Sequence, residues 1–320
     1  MTNLKIRMST RTIILNNGVE MPQLGLGTWQ SAPTQVFEAV KHALKTGYKH
    51  IDTAAIYGNE TEVGQGIKDS KVNREDIFIT TKLWNSMHHP QDVPIALENS
   101  LQALGLDYID LYLMHYPCAN DRTAFEKEGK YIKADIDYVD TWRAMELLLK
   151  TGKVRAIGLS NFSKIELNRI LENCEVVPQV HQMEMHPYLK QDDFLQFNKD
   201  NHIHVTAYSP FGNQNSCYVV EDEPILLEHP SVTKISESEN AKPGNVLLSW
   251  ALMRGTSVIP KSVQKDRIEQ NLKAEELELS DQNFKDLSSL KYSKRYSDFG
   301  PNVGYWYYQD LECPGKKPEI

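Results

Sequence analysis

The sequence predicts a closed barrel of eight parallel strands, each followed by a helix: a (β/α)8 architecture. Three observations lead there. Short β-rich runs occur at 24–28, 49–53, 77–81, 108–114, 154–159, 177–183, 203–208 and 256–260, and helical patterns fill most of the gaps. Strands alternating with helices pair in parallel through right-handed crossovers, and eight such units in about 300 residues suit a barrel. The rival, an open doubly wound sheet, needs Gly-x-Gly-x-x-Gly after its first strand to bind a dinucleotide. Gly25-Leu26-Gly27 begins that pattern, but the third glycine position is Gln30, so it fails.

The elements follow in order. Thr12 to Leu15 and Val19 to Met21 flank Asn16-Asn17-Gly18, and Asn-Gly is a strong hairpin signal. From Val36, the apolar positions Phe37, Val40, Ala43 and Leu44 follow a helical stripe that Gly47 ends. Val93, Leu97, Leu101 and Leu104 repeat it before Gly105, and Trp142, Met145 and Leu149 before Gly152. Glycine just past a helix takes the left-handed cap conformation without strain. A strand follows each stop within a few residues.

Composition excludes several classes. With 320 residues, 40% hydrophobic, the chain can bury a core that needs no metal or disulfide staple. Barrels of this size form one domain, so a single unit spanning 1–320 is expected. A net charge of −8 argues against a general nucleic-acid binder. Cys118, Cys174, Cys217 and Cys313 show no paired or zinc-type spacing, which predicts reduced thiols, no metal and a cytosolic protein. MTNLKIRMSTRTIIL lacks the apolar run of a signal peptide, and no stretch approaches ~18 apolar residues, so neither export nor membrane insertion is expected. Asn59-Glu60-Thr61 and Asn161-Phe162-Ser163 match the glycosylation pattern and read as chance.

In such barrels chemistry sits at the C-terminal strand ends. The second run ends at Asp52 with Tyr57 in the following loop, the third at Lys82 and the fourth at His115. Apolar strands delivering Asp, Lys and His to one rim are hard to explain by packing, because a buried Lys or Asp is costly unless paired. A phenol has a pKa of about 10, and a neighbouring ammonium lowers it. Lys82, held by Asp52, is expected to make Tyr57 a proton donor usable near neutral pH, with His115 hydrogen-bonding the substrate oxygen. That chemistry suits a carbonyl becoming an alcohol, and the hydride must come from a cofactor. Ser160, Asn161 and Gln182 could fix a carboxamide, Tyr208 offers a flat face, and Ser209 and Phe211 could meet a pyrophosphate. Lys261, Ser262 and Arg267, near an expected helix start, could hold a phosphate, pointing to NADP.

The stretches GLGTW, HIDTAAIYGNE, TTKLW, DLYLMHYP, GLSNF, HQMEMHPYL, AYSPFG and VIPKSV resemble the aldo-keto reductase family, in family order and over nearly the whole chain. The likeness is closest to fungal glycerol dehydrogenases and general aldehyde reductases. It implies a TIM barrel whose N-terminal hairpin, residues 12–21, closes the barrel bottom. It implies a catalytic tetrad of Asp52, Tyr57, Lys82 and His115, and NADP(H) extended across the barrel top without a Rossmann domain. Thr28, Trp29, Asp52, Ser160, Asn161, Gln182, Tyr208, Ser209, Phe211, Lys261, Ser262, Arg267 and Asn271 match its cofactor positions. Trp29, Trp84, His115, Tyr116 and Trp306 are the expected substrate contacts.

Three departures from the family pattern stand out. Tyr116 replaces a common tryptophan, Gln270 replaces a glutamate near the adenine, and the tail RYSDFGPNVGYWYYQDLE is rich in aromatic residues. Val263 stands where xylose reductases carry Asn. Segments 118–137, 213–230 and 291–312 are the variable lids expected to set the substrate. The expected activity is reversible NADPH-dependent reduction of aldehydes and ketones by a monomer or homodimer acting on small molecules. A short-chain dehydrogenase is excluded, since no tyrosine has lysine four positions on. The alternative reading is a non-catalytic NADPH-binding barrel that regulates a partner.

Overall fold

Strand β1 (Thr12–Ile14) pairs antiparallel with β2 (Glu20–Pro22) across a turn in which Gly18 holds φ at +83°. The structure, a computed structural model, describes residues 11–212 and 223–317. Eight further strands form one parallel sheet in sequential order: β3 (Leu26–Gly27), β4 (His50–Asp52), β5 (Phe78–Leu83), β6 (Ile109–Met114), β7 (Val154–Ser160), β8 (Val180–Glu184), β9 (His204–Tyr208) and β10 (Ser257–Val258). Bridges Leu24↔Val258 and Gly27↔Lys261 join the two edges and close the barrel. Gly27 N–H donates to the Pro260 carbonyl at 3.1 Å. A Cβ on Gly27 would sit 2.9 Å from the Ile259 carbonyl oxygen, so only glycine permits this approach. The first and last strands are shorter than the sequence runs suggest, because their remaining residues meet only through these isolated bridges.

The helices are α1 (Pro33–Thr46), α2 (Glu60–Ser70), α3 (Val93–Leu104), α4 (Arg122–Glu128), α5 (Tyr138–Leu148), α6 (Lys164–Asn173), α7 (Asp192–Asp200), α8 (Pro230–Ser238), α9 (Pro243–Met253), α10 (Lys265–Leu272), α11 (Asp281–Ser288) and α12 (Gly300–Val303). Val36, Val40, Ala43 and Leu44 of α1 are buried against the outer face of the sheet. Phe37, expected in that stripe, lies at its edge with the Lys41 ammonium 5.0 Å from its ring. Gly47, Gly105 and Gly152 follow α1, α3 and the turn after α5 with positive φ, as expected.

The barrel interior forms a separate core. Leu15 and Met21 of the hairpin pack on Phe78, Leu111, Leu113, Ala156 and Val180. Asn16 Nδ2 donates to the carbonyls of Pro178 and His202, and Asn17 Nδ2 to that of Arg155, which fastens the hairpin across the barrel bottom. Asn59 and Asn161, the two glycosylation matches, are buried. Cys118, Cys174 and Cys313 are free thiols, while Cys217 and most of the 213–230 lid lie outside the described residues.

Candidate active site

Side chains alternate along a strand, so one registered residue fixes the rest. Phe78 belongs to the interior core and Ile79 and Leu83 to the outer one, so Thr80 and Lys82 of β5 point inward. The same alternation puts Leu111, Leu113 and then His115 inside along β6. His50 and Asp52 share the inner face of β4, where the His50 Nε2 meets Thr80 Oγ1 at 3.0 Å. Tyr57 ends a short 3-10 turn, Ala55–Tyr57, just beyond β4.

These residues meet. Lys82 is fully buried, and its ammonium donates to Asp52 Oδ1 at 2.6 Å, to the Thr53 carbonyl at 2.9 Å and to the Tyr57 hydroxyl at 3.4 Å. Asp52 Oδ2 accepts from Gln182 Nε2 at 2.7 Å. The His115 ring lies edge-on to Tyr57 at 5.8 Å between centroids, edge-on to Trp84 at 5.3 Å and stacked on Tyr116 at 5.2 Å. The pairing offsets the cost of burying a charge that would otherwise amount to several kcal/mol.

The electrostatics correct one expectation. The Tyr57 phenol is pushed above its ordinary range, chiefly by burial and then by the Asp52 charge; it is not lowered by Lys82. The distances explain this. Lys82 sits closer to Asp52 than to Tyr57, so the phenol faces a nearly neutral ion pair. Burial also pushes Lys82 down, opposed by Asp52 and then Glu60. His115 is held well below its ordinary value by burial, then by Lys82 and His88, which keeps the imidazole neutral. A neutral imidazole can donate one N–H to a carbonyl oxygen and cannot compete as the acid.

A cavity of about 1290 Å³ opens above the tetrad. Every expected cofactor residue lines it: Thr28, Trp29, Asp52, Ser160, Asn161, Gln182, Tyr208, Ser209, Phe211, Lys261, Ser262, Arg267 and Asn271. Asn161 and Ser209 hold positive φ, +63° and +49°, at the ends of β7 and β9. Ser262 Oγ accepts from Gln264 N–H at 3.1 Å in the turn before α10. Among the described residues, neither Lys261 nor Arg267 pairs with a carboxylate, although Asp266 also lines this end. The residues present fit a dinucleotide with an extra phosphate: amides beside Asp52, a flat ring next to them, and the cations Lys242, Lys261 and Arg267 along the cavity wall.

The sequence profile described as the Aldo/keto reductase family matches residues 23–291. The chain belongs to the aldo/keto reductase family. It is 49% identical to an uncharacterized oxidoreductase of Schizosaccharomyces pombe, over 88% of this chain and 89% of that protein. It is 43% identical to human aldo-keto reductase family 1 member A1, over 90% of this chain and 92% of the relative. Its structure resembles the aldose reductase of Schistosoma japonicum with a TM-score of 0.85 and 36% identity, covering 93% and 98% of the two chains.

This aldo/keto reductase is thus an oxidoreductase with an aromatic pocket mouth. Trp29, Trp84, His115 and Tyr116 line the cavity. Trp306 does not. Its indole N–H donates to the Gly315 carbonyl at 2.9 Å, and the Lys317 ammonium lies 5.6 Å from its ring, away from the cavity. Ser297 and Phe299 from the same tail, and Tyr131 from the 118–137 lid, take that wall instead. Their rings interlock, Tyr131 with Phe299 at 5.0 Å and Trp84 with Phe299 at 5.9 Å. For Phe299 the aromatic richness of the tail was the one hint in the sequence. Within the first lid Asp121 caps α4, and Arg122 pairs with Asp92 at 2.8 Å. Gln270 also lines the cavity, with Asn245 Oδ1 accepting from its amide.

Proposed function

We propose that this protein reduces aldehydes and some ketones to alcohols with NADPH. One observation carries the reading: the Lys82 ammonium bonds Asp52 and Tyr57 together at the floor of the 1290 Å³ cavity. NADPH, when bound, supplies the hydride that no side chain can provide. The chain does the rest. Trp29, Trp84 and Tyr116 shelter the carbonyl from water. Neutral His115 donates a hydrogen bond to its oxygen and sets its angle. Tyr57 gives that oxygen its proton as negative charge develops there. The Lys82 ammonium then stabilises the phenolate left behind, and Asp52, held by Gln182, keeps Lys82 in place.

Ser160, Asn161 and Gln182 are assigned to the carboxamide end of the cofactor, and Tyr208 to its ring. Lys261, Ser262 and Arg267 are assigned to its extra phosphate, which favours NADP over NAD. In reverse the same groups would oxidise an alcohol, including a polyol such as glycerol. The scattered thiols support a cytosolic location. The test is NADPH consumption with a panel of small aldehydes, with Tyr57→Phe as control. Binding of NADPH without reduction of any aldehyde would sink the proposal and favour a regulatory barrel.

A further inference from the structure

The C-terminal tail reaches Asn161, on the cofactor side of the barrel, through Tyr308. Tyr308 is 2% exposed and holds φ at +56°, a region uncommon for a bulky side chain and a sign of local strain. Its surroundings hold it there. The Arg295 guanidinium lies 4.0 Å from its ring centroid. Arg295 in turn donates to Gln191 Oε1 and to the carbonyls of Glu312 and Cys313, at 2.9–3.0 Å. The Tyr308 hydroxyl donates to Asn161 Oδ1 at 2.8 Å.

Asn161 is the meeting point. Its Nδ2 donates to the His115 carbonyl at 2.9 Å and to Ser160 Oγ at 3.1 Å. A backbone carbonyl only accepts, so the amide nitrogen must face His115 and the oxygen must face the tyrosines. That oxygen accepts from Tyr208 at 2.6 Å as well as from Tyr308, so both lone pairs are used. The Tyr308 bond thus helps fix which way the amide points.

We propose that Tyr308 is a positioning residue for the nicotinamide end of the site. Through its hydroxyl the tail that walls the substrate pocket sets the orientation of Asn161, and so couples the two halves of the cavity. The same tail is fastened beside the pocket by Glu184, whose carboxylate accepts from the backbone N–H groups of Tyr296 and Ser297 at 2.8 Å each. This inference rests on the NADPH reading above. Without the Tyr308 hydroxyl, Oδ1 keeps one donor and the amide gains rotational freedom. Affinity then falls only for a ligand that reaches the amide.

The experiment titrates the full chain by tryptophan fluorescence with two ligands: NADPH, and 2′-phosphorylated ADP-ribose, which has everything but the nicotinamide. Tyr308→Phe should bind NADPH roughly 3- to 10-fold more weakly, the effect of one lost hydrogen bond, and the fragment unchanged. In an Asn161→Ala background, Tyr308→Phe should cost nothing further, because the hydroxyl, although it also meets Tyr208, acts on the ligand through the Asn161 amide. A thermal melt confirms that each variant is folded. Equal weakening of both ligands, no weakening of either, or an additive loss in the Asn161→Ala background overturns the inference. A wild-type protein that binds the fragment and NADPH equally, or does not bind NADPH, brings down the cofactor assignment itself.

Discussion

Lys82 Nζ lies 2.6 Å from Asp52 and 3.4 Å from Tyr57, so the cation belongs first to the carboxylate and only second to the phenol. Tyr57 is therefore a donor whose proton leaves only when an alkoxide forms beside it. Tyr57→Phe should lower kcat by roughly 100- to 10,000-fold, the usual range for a positioned acid. NADPH affinity should stay within about twofold, since the ring remains and the hydroxyl is assigned to the substrate. Single-turnover reduction and a binding titration on the same preparation separate the two effects. Wild-type turnover in the variant would remove Tyr57 from the mechanism.

The raised Tyr57 value and the depressed His115 value set the pH dependence. A phenol with a raised pKa stays protonated throughout the neutral range. An imidazole with a lowered pKa stays neutral there. Reduction needs both of those forms, so its kcat/KM should be flat from about pH 7 to about pH 9, between the ordinary His and Tyr values. Alcohol oxidation needs the phenolate, so its rate should climb with pH across the same range. A reduction profile falling with a midpoint near 8 would mean that Lys82 does depress the phenol.

Asp52 and Lys82 are each buried and paired, so removing one leaves the other a buried charge without its counter-ion. Asp52→Ala should destabilise the fold by about 3–5 kcal/mol, as for other broken buried pairs. The double change Asp52→Ala with Lys82→Met should recover much of that stability but no activity. Denaturant unfolding of the three variants checks this. A double variant no more stable than Asp52→Ala would show that the pair is not the source of the loss.

Arg267→Gln removes one of the cations that line the cavity, Lys242 and Lys261 being the others, near the expected phosphate. A hydrogen bond to a charged group contributes about 1.5–3 kcal/mol, so KM for NADPH should rise roughly 10- to 100-fold. KM for NADH, which lacks that phosphate, should hardly move. Equal losses for both cofactors would place Arg267 elsewhere on the dinucleotide.

The barrel and the meeting of Asp52, Tyr57, Lys82 and His115 were legible because both depend on strand ends. Alternation in β5 and β6 carries Lys82 and His115 inward whatever the loops do. What the sequence could not order is distance. It named Asp52, Lys82 and Tyr57 as neighbours, but which pair is tighter decides the sign of the Tyr57 shift, and that comes from packing. The tail was harder still. In Tyr305-Trp306-Tyr307-Tyr308 no helical or strand period assigns a face, so Trp306 was expected in the pocket while Tyr308 is the residue that reaches Asn161. Phe37 failed for a milder reason: it sits one position off the centre of its stripe, and Lys41 covers it.

Glu275, 8% exposed, accepts a 3.3 Å bond from the Arg11 backbone N–H and, among the described residues, no other. Burial raises its pKa to about 7. Unfolded, it would titrate near about 4.3. Below that value both states are protonated and the site is neutral to stability. As pH rises towards 7 the unfolded chain loses the proton first, so stability falls. Above 7 the folded state carries the full cost of a poorly solvated charge. After discounting for water at the rim, that cost is on the order of 1–2 kcal/mol. Glu275→Gln keeps the acceptor for Arg11 and removes the charge. Its melting temperature should exceed the parent's at pH 8 and match it at pH 4.5. A gain of equal size at both values would mean that packing rather than ionisation is at work.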